Sequence, residues 1–97
     1  MRCLLKITIP VEGGNRAIKD GSLPEIMQGL MEKLRPEASY FGAENGDRTA
    51  YIFFDFKDVS EMPVILEPLF MGFNAKVVLL PVMNANELKT GLEKALG

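Results

Sequence analysis

The stretch Glu37–Phe56, EASYFGAENGDRTAYIFFDF, decides the fold. At its centre Asn45-Gly46 matches the two-residue type I′ turn, whose central residues both take φ > 0 and which joins two antiparallel strands. That turn sets the register. Glu44 faces Asp47, Tyr40 stands opposite Tyr51, Gly42 opposite Thr49 and Ala38 opposite Phe53 on one face. Phe41 meets Ala50 and Ser39 meets Ile52 on the other, and the only two tyrosines of the chain become cross-strand neighbours.

Upstream, Arg2–Pro10 alternates as a strand, with Cys3, Leu5, Ile7 and Ile9 on one side and Arg2, Leu4, Lys6 and Thr8 on the other. VEGGNR reads as a Gly-rich loop, followed by at most a short turn through Asn15–Asp20. Leu23, Ile26, Met27, Leu30, Met31 and Leu34 then recur at helical spacing. Ser22 with Glu25 resembles a capping box at the start of that helix, and Pro36 stops it. VEGGN lacks the spacing and the Lys-Ser/Thr of a phosphate cradle.

Downstream, Met62–Met83 is the most apolar part of the chain and is long enough to cross a bilayer. Pro63, Glu67, Pro68, Asn74 and Lys76 interrupt it, so it divides into a helix opened by Ser60 and a strand, Lys76–Met83. Val64, Ile65, Leu69 and Phe70 are expected as core, with Met62, Met71 and Phe73 filling the corner. A terminal helix begins near Asn84. The order β-α-β-β-α-β-α predicts one α+β domain over residues 1–97: a ferredoxin-like βαββαβ with an extra C-terminal helix and a four-stranded antiparallel sheet.

One face of such a sheet packs on its helices, and the other is ordinarily wet. Here Leu4, Phe53 and one side of the Val77–Leu80 run make that second face apolar. A second copy is expected to cover it, giving a homodimer through the sheet face; the terminal helix folding across it is the other arrangement that would serve.

Composition sets outer limits. Of 97 residues, 47% are apolar and 25% charged, which suits a folded domain. The 11 basic and 13 acidic side chains are dispersed, leaving no basic stripe for nucleic acid or for an anionic membrane surface. MRCLLKITIP is broken by Lys6 and Pro10 and reads as a strand, not a signal peptide. The single cysteine permits no intramolecular disulfide, as expected of a cytoplasmic protein, and is placed in the core as an inert thiol. Without histidine there is no Ser-His-Asp or Cys-His catalysis, no His-ligated metal and no His-ligated haem; no cofactor is called for.

The block AYIFFDFKDVSEMPVILEPLFMGFNAKVVLLPV, Ala50–Val82, resembles the C-terminal half of muconolactone isomerase-like proteins: a strand ending in an apolar residue and Asp, a Ser-Glu helix start, PLF, and a last strand. More broadly it is similar to the dimeric α/β-barrel superfamily. The resemblance implies a ferredoxin-like fold, dimerisation through the sheets, and a ligand held between sheet and helices or inside the barrel. The absence of histidine departs from the isomerase pattern.

Candidate ligand-binding residues are Lys6, Thr8, Tyr40, Tyr51 and Phe70. The first four share the second sheet face with Thr49 and Asp55, so phenols, an amine, hydroxyls and a carboxylate meet on a half-apolar surface. Asp55 and Glu67 are the candidate catalytic groups, with Asp55 or Lys6 shifted toward neutrality by desolvation and a tyrosine stabilising an enolate-like oxygen. The plain counter-readings are a packed tyrosine pair, an intersubunit Lys6–Asp55 ion pair and a solvated Glu67. Glu44 and Asp47, bracketing the turn, are expected in water. The function expected is a small homodimer that binds a small organic molecule, with isomerase-like proton transfer; the alternative is a non-catalytic dimeric interaction or sensing module.

Overall fold

A computed structural model describes all 97 residues. The elements are β1 (Arg2–Ile9), α1 (Val11–Lys19), α2 (Ser22–Leu34), β2 (Ala38–Glu44), β3 (Asp47–Asp55), α3 (Met62–Phe73), β4 (Lys76–Pro81) and α4 (Ala85–Leu96). The four strands form one antiparallel sheet in the order β2-β3-β1-β4, the ferredoxin-like arrangement. No helix is long and apolar enough to cross a membrane.

The hairpin has the predicted register, Tyr40 opposite Tyr51 and Glu44 opposite Asp47, with Asn45 and Gly46 at φ 54° and 82°. Alternation along β1 buries Cys3, Leu5, Ile7 and Ile9 beneath the helices. They meet Ile52 and Phe54 of β3 and Ile65, Leu66, Leu69 and Phe73 of α3. The α2 stripe of Leu23, Ile26, Met27, Met31 and Leu34 packs against this core, with Leu30 inside it. These side chains hold the helix layer on one side of the sheet.

Several local expectations are corrected. VEGGNR is the body of α1 and not a loop, because Gly13 lets the helix touch α3: a Cβ there would lie 2.3 Å from the Phe73 carbonyl oxygen. Ser22 is the first residue of α2 and not its cap; Gly21 precedes it at φ 81°, and the Ser22 N–H donates to Asp20 at 2.9 Å. A short 3-10 turn, Val59–Glu61, leads into α3, and Asp58 caps it by accepting from the Ser60 N–H. Met71, Val64 and Phe70 lie on the outer side of α3 and are exposed, while Leu66 takes a core place. Phe41, on the edge strand β2, is exposed.

α4 begins with a complete capping box between Asn84 and Glu87. It does not fold across the open sheet face. All of its residues are exposed, and the molecule is drawn out to 55 Å along its long axis.

Candidate functional site

The open sheet face is built in rows that run across the strands β4, β1, β3 and β2. Leu80, Leu4, Phe53 and Ala38 make one apolar row. Val78, Lys6, Tyr51 and Tyr40 make the next, and Lys76, Thr8, Thr49 and Gly42 the one after it. Asp47 and Glu44 close the hairpin end. The surface therefore grades from greasy to polar within a few residues of each strand.

Lys6, Glu44 and Tyr51 are joined at the middle of this gradient. The Lys6 ammonium donates to Glu44 Oε2 at 2.5 Å, and the Tyr51 hydroxyl donates to Glu44 Oε1. Lys6 also stands 6.0 Å from the centre of the Tyr51 ring. One carboxylate thus takes a charge-assisted bond on each oxygen, the strong kind of hydrogen bond. Thr49 lies buried below the cluster, its hydroxyl donating to the Asp47 carbonyl at 3.0 Å. Beside it, Thr8, Pro10, Glu44, Asn45, Asp47 and Lys76 line a hollow of about 300 Å³. That volume suits a small ligand.

The contacts shift each group. The bond to Glu44 holds the Lys6 ammonium above the usual lysine range. The bonds from Lys6 and then Tyr51 hold Glu44 below the usual carboxylate range. Donating to Glu44 pushes the Tyr51 phenol up. All three shifts lead away from neutrality, so Lys6 is fixed as a cation and Glu44 as an anion.

The predicted residues fall into three places. Lys6, Thr8, Tyr40 and Tyr51 do share the open face, with Tyr40 outermost and 64% exposed. Asp55 lies on the same face but about 13 Å along β3 from Tyr51, four residues at strand rise. There the N-terminal ammonium bonds it at 2.6 Å and lowers its pKa, which replaces the expected shift toward neutrality. Glu67 and Phe70 sit exposed on α3, across the sheet from Lys6, and do not meet the cluster. Cys3 is buried in the core, and burial pushes its thiol up, as suits an inert thiol.

Sequence reasoning missed Glu44, which was assigned to water beside the turn. A signal was present: Glu44 shares the face of Lys6 and Tyr51 by strand alternation, within reach of a long side chain. Arg2 forms a second ionic cluster, bonding Glu37 at 2.6 Å and also Glu87, and so ties β1 to the starts of β2 and α4. No family model matches the chain, and no curated protein matches it either.

Proposed function

We propose that the protein binds a small organic molecule on its open sheet face, as a homodimer in which a second copy covers that face. The observation that carries this reading is the Lys6–Glu44–Tyr51 cluster set between an apolar row and a polar hollow. An ammonium keeps three donors, of which Glu44 occupies one, so Lys6 retains capacity for an anionic or carbonyl oxygen. The row of Leu80, Leu4, Phe53 and Ala38 offers the ligand's body an apolar wall.

Binding is better supported than proton transfer. A general acid or base works best when its pKa lies near the operating pH. Lys6, Glu44, Tyr51 and Asp55 are each displaced away from it. That pattern favours the non-catalytic reading over isomerase-like chemistry with Asp55, and Glu67 lies exposed on α3, away from the cluster.

Benzoate, a carboxylate on an apolar ring, is a suitable probe, with benzyl alcohol as its uncharged counterpart. Amide spectra are expected to shift at Lys6, Tyr51 and Val78 on adding benzoate, less with the alcohol, and not at all in Lys6→Met. Shifts elsewhere, or shifts that survive in Lys6→Met, would overturn the assignment.

A further inference from the structure

α4 carries Ala85, Leu88, Leu92 and Leu96 at helical spacing on one side. Leu88 is 48% exposed, Leu92 51% and Leu96 86%. No residue of another element lines this side; Lys89, Glu93 and Gly97 flank the stripe. Isolated helices of about 12 residues are marginal in water, and most helices in proteins are stabilised by packing an apolar face. The capping box gives α4 a well-formed start, yet its stripe has no surface in its own chain.

The start of α4 is pinned. The Val82 N–H donates to the Arg2 carbonyl at 3.1 Å, and the Arg2 side chain bonds Glu87 in the first turn of α4. Held there, the helix leads off the domain instead of back over the sheet.

We propose that α4 is an exchanged arm, with Leu88, Leu92 and Leu96 of each chain packing on a second copy. This rests on the reading that a second copy covers the sheet face. Area argues for that occupant. A stable pair of chains covers about 800 Å² on each partner. Four strands of 8, 7, 9 and 6 residues, about 4.8 Å apart, outline only about 480 Å². A helix about 18 Å long and about 10 Å across covers roughly 180 Å² on itself. It covers as much on the chain that receives it, and each chain both gives and receives an arm. The arms bring the shared area close to what a stable dimer needs.

The dimer dissociation constant, measured by sedimentation velocity on the full chain, tests this in three forms: unmodified, L88E/L92E and V78E. The arm requires L88E/L92E to weaken association at least 10-fold while the cooperative unfolding of the sheet-and-helix core is retained. An unchanged constant in L88E/L92E beside a weakened one in V78E would overturn the arm and leave sheet pairing standing. Weakening in L88E/L92E alone would overturn the sheet-face reading and, with it, the exchanged arm argued from that shared area. An unmodified chain that stays monomeric at 100 µM would overturn both. Leu92→Ala serves if the double charge prevents folding, with weakening expected and an unchanged constant counting against the arm.

Discussion

Glu44 and Lys6 lie 38 residues apart and meet at 2.5 Å on the open face of the sheet. The contact bridges β3: β2 pairs with β3, β3 pairs with β1, and the two long side chains meet above Thr49, whose row lies between theirs. Removing Glu44 strips both neighbours of their partner. In a Tyr40→Phe background, the Tyr51 phenol is expected to ionise above the usual tyrosine range and to return toward it in Glu44→Ala. Ultraviolet titration of the phenolate band reads this directly, and an identical curve in the two proteins would show that the cluster does not hold in solution.

The same cluster gives stability a pH window. Glu44 binds its proton less readily in the folded chain than in the unfolded one. Its contribution is therefore present above the free value of about 4.3 and lost as pH falls through the lower folded value. Lys6 and Tyr51 are raised, so their contributions are present below about 10 and lost as pH rises through their folded values. Asp20, Asp55, Asp58 and Glu87 are also depressed and add to the acid loss. Denaturant midpoints across pH should form a plateau that falls at both ends, with a shallower alkaline fall in Glu44→Gln.

Of the glycines, Gly13 makes the closest approach to a neighbouring element. Gly13→Ala places a methyl group 2.3 Å from the Phe73 carbonyl oxygen, where only backbone movement can relieve it. A loss of about 1–3 kcal/mol is expected, the usual cost of overpacking. Gly29 on α2 has nothing within 4 Å of the same methyl group. Gly29→Ala should instead gain about 0.4–1 kcal/mol through the unfolded state. Urea unfolding of the two variants gives the contrast, and equal effects would contradict the α1–α3 contact.

Leu5 is fully buried between the sheet and α3. Leu5→Ala is expected to cost about 2–5 kcal/mol. Leu4→Ala, one residue away on the open face, should cost the isolated chain much less and act mainly on association. Comparing unfolding at low and at high chain concentration separates the two.

What was legible in the sequence follows from how local each cause is. Asn45-Gly46 admits one tight turn, so the whole β2–β3 register follows from two residues. Cys3 to Ile9 alternate cleanly and identify their own buried side. The glycines of α1 pointed to a loop by propensity, and only the approach of Phe73, 60 residues away, makes a helix there need them. Glu44 escaped for a related reason: beside a turn it reads as solvated, and its partner on β1 becomes a neighbour only through the sheet order. Glu67 reads as a catalytic candidate and Phe70 as a ligand contact because they sit in an apolar stretch, but a helix has an outer side, and both are on it.

The claim that the open face is a covered, ligand-holding surface is tested most directly by solvent paramagnetic relaxation of the Leu4, Val78 and Leu80 methyl groups across protein concentration. The account predicts strong relaxation at low concentration that falls as chains associate, with the exposed Met71 methyl on α3 unchanged. Methyl groups on the sheet face that stay as accessible as Met71 at every concentration would contradict it.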